Sequence, residues 1–270
     1  LAWPLLDFQS AIEDHEQGVT HIIRGKDLMD STRKQKLLYD HLGWKYPETL
    51  YWGRVSIHGS GSFSTSEIRR GIESRMYGGW DDPRVPTLRS MRRKGFNPAA
   101  LRSFWVDMGV TQKDVAVAME SIEASNAASI DSTSRRISLV SDPANIEIQG
   151  EVPPEIVLPF HPDDEKAGMR KISLTSGAVI IEKEDLTSSF RLKELANIES
   201  VEGIFEIGST ERDDERPIIH WLSPDSSVTC ELVMANGSEL NIMNCLVEDA
   251  DLKIGEVVQL ERKGFARVEE

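Results

Sequence analysis

Residues 78–96 read GGWDDPRVPTLRSMRRKGF, and this stretch says most about the fold and the function of the chain. It follows a Gly- and Ser-rich segment, Gly59 to Arg70, of the kind that binds phosphates through backbone N–H groups. A turn rich in Pro, Asp and Arg then leads into a predicted basic helix with Arg89, Arg92, Arg93 and Lys94. This order predicts a chain that handles a nucleotide and then a nucleic-acid backbone.

The composition is that of a globular protein with more than one core. A length of 270 residues suits two or three compact units, and 39% hydrophobic with 28% charged residues is ordinary for a soluble protein. No apolar run approaches the roughly 20 residues that cross a bilayer, and Leu1–Pro4 lack the basic region of a signal peptide. Cys230 and Cys245 are too few for a disulfide framework, and neither cysteines nor histidines have metal-ligand spacing. We therefore expect a cytoplasmic monomer without membrane contact and without a protein metal site.

The net charge of −14, taken alone, argues against binding to nucleic acid. The charge is unevenly distributed, however, because residues 69–102 contain nine basic and only three acidic residues. Such a patch can bind phosphates while the acidic remainder keeps the protein soluble. The alternative interpretation is a basic helix that merely faces solvent.

The first 57 residues predict a β–α–β arrangement. Val19–Ile23 is a β-branched run typical of a buried strand. Asp30–Thr32 offers N-cap oxygens for a helix, with Gln35 at capping-box spacing, and Gly43 is a usual C-cap. Thr49–Trp52 and Val55–Ile57 then read as strands. The order fits part of a parallel, doubly wound sheet, and a complete one needs more strands, so we expect the chain to begin inside a domain.

The middle of the chain predicts helices and the last part predicts strands. Asn97-Pro98 begins a helix that Gly109 ends, and Thr111–Asp114 is expected to open another. From Ile146 onward apolar residues alternate with polar ones in short runs, which indicates antiparallel structure of barrel or sandwich type. About 128 residues of it would form one large barrel or two small ones.

Several motifs together resemble one family, the archaeal-type glutamyl-tRNA synthetases of class I, which are related to the glutaminyl-tRNA synthetases. Trp3–Phe8, Gly18–Asp27 and residues 78–96 look like the second half of that family's catalytic domain, and Gly255–Phe265 looks like the last strand pair of its anticodon-binding barrels. The resemblance covers essentially the whole chain and gives the fold class: a multidomain α/β plus all-β protein. It implies the C-terminal half of a Rossmann-type catalytic domain with the ATP signature loop in residues 1–75 and a helical stem-contact domain in residues 76–142. Two antiparallel β-barrels that bind the anticodon are then expected in residues 143–270. The proximal barrel would take about 143–168 plus 240–270, and the distal barrel about 169–239.

The resemblance also implies a reaction. Family members attach glutamate to tRNA through a glutamyl-adenylate, so the expected partners are ATP, Mg²⁺ carried by its phosphates, glutamate and the glutamate isoacceptors of tRNA. No protein nucleophile is needed, and the important residues position substrates and stabilise phosphate charge. The His-x-Gly-His motif of the family's first half does not occur in this sequence. We therefore expect a C-terminal portion of the enzyme that cannot activate glutamate by itself.

The resemblance places three residues at the amino-acid and ATP pocket. Arg24 is expected to fork onto the glutamate side-chain carboxylate, a position that is not basic in glutamine-specific relatives. Its alternative is a surface salt bridge. Asp27 falls near the nucleotide ribose and the tRNA end, and Arg54 near the active site.

The ATP signature loop carries the expected catalytic residues, Ser64, Ser66 and Arg69. The family has Lys where this chain has Glu67, and a carboxylate would repel pyrophosphate rather than stabilise it. Arg69 or Arg70 would have to substitute. Leu6 likewise stands where many relatives use a Tyr to contact the substrate.

Cations along the rest of the chain are the expected tRNA contacts. The stem-contact candidates are Arg84, Arg92 and Arg93, and the anticodon candidates are Arg170, Lys193 and Arg262, since loop cations bind phosphates or the edges of unstacked bases. The alternative for the last three is a set of ordinary surface cations. His161 and His220 match family positions and are interpreted as barrel packing.

Two other functions stay open from the sequence. One is a tRNA-binding module that has lost catalysis, which Glu67, Leu6 and the missing motif favour and the intact Arg24 motif disfavours. The other is an α+β structural protein without an RNA role, which requires the ordered motifs to be coincidence.

Overall fold

A computed structural model describes residues 3–58, 64–212 and 215–269. The chain divides into two compact units, one formed by residues 1–61 and 101–122 and the other by residues 62–100 and 123–270. The helices are α1 (Leu6–Glu16), α2 (Met29–Leu42), α3 (Thr65–Glu73), α4 (Leu88–Arg93), α5 (Pro98–Met108) and α6 (Met119–Ile130). The strands of the first unit are β1 (His21–Gly25), β2 (Glu48–Trp52), β3 (Val55–His58) and β4 (Val115–Ala118). Those of the second are β5 (Arg136–Ile137), β6 (Leu139–Val140), β7 (Pro143–Gln149), β8 (Glu155–Pro159), β9 (Met169–Ser173), β10 (Ala178–Glu182), β11 (Ser189–Leu192), β12 (Ala196–Val201), β13 (Ile204–Ser209), β14 (Ile218–Ile219), β15 (Ser227–Asn236), β16 (Glu239–Glu248), β17 (Val257–Leu260) and β18 (Gly264–Arg267).

The predicted β–α–β arrangement in the first unit is confirmed. Strand β1 pairs in parallel with β2, and α2 connects them. Gly43 ends α2 in the left-handed region at φ +70°, as the C-cap pattern predicts. The start of α2 differs from the prediction, because the helix begins at Met29 and Thr32 and Gln35 lie inside it. Their side chains are buried and serve tertiary hydrogen bonds instead of the cap.

The helix predicted to open at Thr111–Asp114 is wrong. These residues lead into β4, which pairs in parallel with β3, and the helix begins only at Met119. The Val-Ala-Val-Ala run of β4 is compatible with a strand, and Val115 N donates to Arg54 O at 2.9 Å to start the pairing. The carboxylate of Asp114, which the sequence suggested as a charge in the first turn of a helix, therefore lies at the start of a strand. The helix from Pro98 to Met108, followed by Gly109 at φ +69°, agrees with the prediction.

The β-rich part of the second unit contains two main apolar cores. The first is built on a six-stranded sheet in the order β10-β7-β13-β12-β11-β14, with fully buried Val179, Ile181, Phe190, Leu192 and Ile198. The second lies among the sheets β15-β16-β6 and β18-β17-β5 and includes Ile137, Leu139 and Val258. The pairing is mostly antiparallel, as expected, with parallel contacts at β13–β7, β11–β14 and β17–β5.

Strand pairing does not follow the expected barrel boundaries. Strand β7 was assigned to the proximal barrel, yet it pairs with β10 and β13, which were assigned to the distal one. Strands β15 and β16, separated by the expected boundary at residue 239, form one hairpin paired over ten positions. A tight turn with Gly237 at φ +58° joins these strands, which is why they stay together. The three-domain division of the chain stays a prediction.

In the described parts of the chain, no helix combines the length and the apolar character needed to cross a membrane.

Candidate substrate and nucleic-acid sites

Arg24 is held at the end of β1 by neutral hydrogen-bond acceptors. Its Nη1 donates to Thr32 Oγ1 at 3.2 Å and to Gln35 Oε1 at 3.0 Å. Gln35 is 1% exposed and is itself fixed, because its Nε2 donates to Asp7 O and Ser10 Oγ. Thr32 and Gln35, which the sequence suggested as capping residues of α2, therefore orient the guanidinium of Arg24 instead.

Arg24 has no ion pair with any residue of the described ranges, so its charge is not neutralised locally. The carboxylate of Asp7 is engaged elsewhere: hydrogen bonds from Ser31 and then Lys34 lower the pKa of Asp7, and Arg24 contributes only through the field. The Lys34 Nζ to Asp7 Oδ2 distance is 2.9 Å. A half-buried guanidinium that is held by neutral groups can still bind an anionic ligand. A guanidinium already paired in a surface salt bridge could not.

Asp27 follows β1 in a 3-10 turn, Lys26–Leu28. Its carboxylate lies so close to Gly25 that a Cβ there would overlap Oδ1. The glycine thus allows the Asp27 side chain to fold back over the end of the strand.

Arg54 lies in the turn between β2 and β3, and Asp114 clamps this turn. Asp114 Oδ1 accepts from Arg54 N at 2.7 Å, and Oδ2 accepts from Lys26 Nζ at 2.7 Å. The Lys26 and Arg54 hydrogen bonds lower the pKa of Asp114. One carboxylate therefore ties the Arg54 turn to the turn that carries Asp27. This role of Asp114 was not predicted, because the sequence pattern favours a helix at Thr111–Asp114.

Gly53 is the second element of this clamp. Gly53 N donates to Thr111 O at 2.7 Å, and a Cβ on Gly53 would overlap the carbonyl of Lys113 and lie 2.9 Å from Asp114 N. The backbone segments approach so closely that only glycine fits.

We expect Gly53→Ala to lower the free energy of unfolding by about 1–3 kcal/mol, since the clash is with backbone and cannot be relieved by a rotamer change. Urea unfolding followed by tryptophan fluorescence measures it. Gly208→Ala is the matched control, because its nearest neighbours, Glu199 side-chain atoms at 3.5–3.6 Å, are at ordinary contact distance. Equal stability of the two variants would contradict the proposed close approach.

The expected ATP-loop residues lie at the start of α3. Ser64 is its N-cap: Ser64 Oγ accepts from Glu67 N at 3.2 Å and Glu67 Oε2 accepts from Ser64 N at 2.7 Å, a complete capping box. These bonds from Ser64 lower the pKa of Glu67. Glu67 thus has a structural role at the position where the resembled family has lysine. Ser66 and Arg69 are exposed, and residues 59–63 of the predicted loop lie outside the described residues.

Two of the three predicted stem-contact arginines are engaged in ion pairs. Arg84 forms a fork with the buried Asp82, Nε to Oδ1 at 2.9 Å and Nη2 to Oδ2 at 2.7 Å, and also donates to Met76 O. Arg93 forms a similar fork with Glu269, with N–O distances of 2.8–3.0 Å. Arg92 is exposed on α4 and has no ion pair among the described residues. A contact with tRNA stays a prediction for all three, and only Arg92 offers an unengaged charge.

Two of the three predicted anticodon cations line one cleft of about 340 Å³ in the second unit. Lys193 Nζ donates to Glu261 Oε1 at 2.8 Å, and Arg262 Nη1 donates to both carboxylate oxygens of Asp185, at 2.6 and 2.9 Å. Arg136, His220 and Gln259 line the same cleft. The structure thus brings Lys193 and Arg262, two of the cations selected from the sequence, to one cleft that the sequence did not indicate.

The walls of this cleft contain buried polar atoms that lack a partner in the described residues. They are Arg136 Nε, His220 Nδ1 and Gln259 Oε1. His220 Nε2 donates to Leu139 O at 2.8 Å, because a carbonyl can only accept, and in the neutral ring Nδ1 is then an acceptor. The residues that line the cleft therefore contain one donor and two acceptors that are buried and unpaired among the described residues. An unpaired buried polar atom is costly, which favours a polar ligand here.

The predicted surface position of Arg170 is wrong. Its side chain is 8% exposed, and Nη1 donates to Glu248 Oε2 and to Arg136 O, both at 2.7 Å. Glu248 is 4% exposed, and burial raises the pKa of its carboxyl against the opposing effect of Arg170. Arg170 of β9 thus connects to β5 through Arg136 O and to β16 through Glu248, and its contact with the anticodon stays a prediction. His161, interpreted as packing, is indeed buried.

Sequence reasoning missed Arg136 and Gln259. They are register partners on the short parallel pair β5–β17, and Gln259 is a polar residue inside the apolar run Val257–Leu260. That interruption was the one available signal. No group of His, Cys, Asp or Glu that could hold a metal ion occurs within residues 3–58, 64–212 and 215–269.

Comparison with known proteins gives three adjoining family matches. Residues 2–132 match the catalytic domain of the class I (E and Q) tRNA synthetases, and residues 134–212 and 218–269 match two anticodon-binding domains of the same class. The chain is 43% identical to a glutamate–tRNA ligase of Methanothrix thermoacetophila over 99% of its length, which is 48% of that relative. It is 42% identical to the enzyme of that name from Methanosarcina mazei, over 100% of this chain and 48% of the relative. For the Pyrococcus abyssi enzyme the identity is 39%, over 99% of this chain and 49% of the relative. The chain spans about half the length of the curated relatives it matches.

Proposed function

We propose, on the premise that this chain belongs to the class I tRNA synthetases of the E and Q group, that it takes part in attaching glutamate to tRNA. In this proposal the second unit binds tRNA, and the first unit supplies part of the amino-acid pocket. The α-carboxylate of glutamate would attack the α-phosphate of ATP, whose phosphates carry Mg²⁺, and displace pyrophosphate; a ribose hydroxyl of the tRNA would then take the glutamyl group and release AMP.

The cleft of Arg136, Lys193, Gln259 and Arg262 is the observation that carries the proposal. All its lining residues fall in the segments matched by the anticodon-binding models. An unstacked base presents both donors and acceptors along its edges, and the residues that line the cleft contain buried unpaired groups of both kinds beside two cations. Lys193 and Arg262 are partly neutralised by Glu261 and Asp185, so we assign the discrimination between bases to the hydrogen-bonding groups.

We expect Arg136→Ala to weaken binding of a glutamate tRNA transcript by about 1–3 kcal/mol and to reduce discrimination against transcripts with a changed anticodon. Filter binding of matched and anticodon-changed transcripts measures both. Lys171→Ala is the control, because Lys171 is an exposed β9 cation that does not line the cleft. If Arg136→Ala lowered binding to every transcript equally, a phosphate contact rather than base reading would be indicated.

Arg24 is proposed to bind the side-chain carboxylate of glutamate. Support comes from its neutral anchors Thr32 and Gln35 and from the lack of an ion pair within the described residues. A carboxylate would receive the remaining N–H groups of the guanidinium, whereas the amide of glutamine would place an NH₂ against them. Asp27 and Arg54 belong to the same unit and are proposed to face the nucleotide and the tRNA end.

The second candidate is a tRNA-binding module without independent aminoacylation. The capping box of Ser64 and Glu67 favours it, because a carboxylate at the start of α3 repels the phosphates that a lysine would stabilise. Glutamate-dependent ATP–pyrophosphate exchange by this chain separates the two candidates. Exchange above background supports the enzyme on its own, and tRNA binding without exchange supports the module.

A further inference from the structure

We propose that Trp80, Leu88 and Arg89 form a stacking site for an unpaired nucleotide of the bound RNA, separate from the cleft of Arg136. The inference rests on the proposed function, because it names a second RNA contact. The three side chains, with Thr87, line a surface pocket of about 380 Å³ in the second unit.

The backbone around Trp80 is fixed before any ligand arrives. Thr87 Oγ1 donates to Trp80 O and accepts from Ser90 N, so one hydroxyl joins the Trp80 turn to the start of α4. On the other side, Asp82 accepts from Gly78 N at 2.8 Å and from the Arg84 fork. The indole is therefore presented from a rigid turn, which keeps the entropy cost of stacking low.

The chemistry of the pocket matches a nucleotide. The Trp80 indole is half-buried and gives a planar apolar surface, and Leu88 is 77% exposed beside it. A leucine so exposed at the first residue of a helix has no packing role in the described residues. A base has two π-faces and can lie on the indole and the leucine, whatever its sequence identity.

Charge points to RNA rather than to a neutral ligand. Helix α4 contains Arg89, Arg92 and Arg93 and no acidic residue. Arg93 is paired with Glu269, while Arg89 and Arg92 have no ion pair in the described parts of the chain. Asp81, the acidic neighbour of Trp80 in the sequence, has its Oδ1 2.8 Å from the position of a Cβ on Gly79 and acts on Arg93 only through the field. An unengaged guanidinium in the pocket, that of Arg89, and a second on the same helix suit a nucleotide linked to further phosphates.

The test compares the wild-type chain with Trp80→Ala, Trp80→Phe and Arg89→Ala in binding a glutamate tRNA transcript. We expect Trp80→Ala to raise the Kd by about 5- to 100-fold and Trp80→Phe to leave it within about threefold, because stacking needs a ring and not the indole itself. Arg89→Ala should raise the Kd and reduce its salt dependence. Trp3→Ala, which removes a tryptophan that is 86% exposed outside the pocket, is the control.

A second experiment uses AMP to test whether the pocket binds free nucleotides. We expect tRNA to stay bound in the presence of millimolar AMP. Displacement of tRNA by AMP would reassign the pocket to free nucleotides. Saturable binding of AMP that is lost in Trp80→Ala would do the same. Unchanged tRNA affinity in both Trp80→Ala and Arg89→Ala overturns the stacking site and leaves the proposed function intact. If the wild-type chain itself fails to bind tRNA, the proposed function fails first.

Discussion

Asp82→Asn should lower the free energy of unfolding by about 3–5 kcal/mol, the largest loss we expect from one isosteric change. Asp82 is 4% exposed and accepts four hydrogen bonds, from Gly78 N, Arg84 N and two guanidinium nitrogens of Arg84. The amide would leave a largely buried cation without its counter-charge. Urea unfolding at neutral pH measures the loss, and Asp81→Asn, at an exposed neighbouring aspartate, is the control.

The same pair gives a pH dependence with a definite sign. The hydrogen bond from the Arg84 side chain, with those from Gly78 and Arg84 N, lowers the pKa of Asp82 from 3.8 to about 2. A carboxyl with a lowered pKa stabilises the fold above its unfolded pKa, and the gain disappears as the pH falls from about 4 to about 2. This ionisation contributes about 2 kcal/mol. Asp82→Asn should therefore flatten the acid limb of the stability curve. An acid limb identical to that of the wild-type chain would contradict the assignment.

Arg170→Met should also cost about 3–5 kcal/mol at neutral pH, because Glu248 would then be a buried carboxylate without its cation. Burial already raises the pKa of Glu248, and loss of Arg170 would raise it further. Protonation removes the cost of burying the Glu248 carboxyl. The loss of unfolding free energy in Arg170→Met should therefore become smaller as the pH is lowered from 7 to 4.5.

The double variant Arg170→Met/Glu248→Leu isolates the charge effect. It removes both charges and should regain most of the stability, since apolar replacement of a buried pair is often neutral. The stability should stay somewhat below that of the wild-type chain, because Arg136 O loses its hydrogen bond from Arg170. A double variant as unstable as Arg170→Met, or a defect that does not depend on pH, would contradict the role of an unpaired carboxylate.

The sequence predicted best where one local rule decides the structure. The C-cap at Gly43, the helix after Asn97 and the β–α–β connection of β1 and β2 all follow from short-range backbone preferences. The prediction of a helix at Thr111–Asp114 was wrong because a carboxylate is typical of the first turn of a helix. The same side chain can equally join two loops by hydrogen bonds, as Asp114 does. The clamp on Arg54 is a contact across 60 residues that no local pattern encodes.

The sites divide in the same way. Residue type identified Arg24, Lys193 and Arg262 as cations worth attention, but it could not distinguish them from Arg170, whose partner Glu248 lies 78 residues away. The pairing of β5 with β17, which brings Arg136 beside Gln259, depends on tertiary register. Glu67, which looked like a lost catalytic charge, has a local explanation in the capping box that its spacing from Ser64 already permitted.

Binding of the intact chain to an unmodified glutamate tRNA transcript over a series of salt concentrations tests the central claim most directly. The account predicts saturable binding whose logarithmic affinity falls linearly with the logarithm of salt concentration, and weaker binding when the anticodon is changed. Absence of binding at low salt by a chain shown to be folded, or equal affinity for every anticodon, would contradict it.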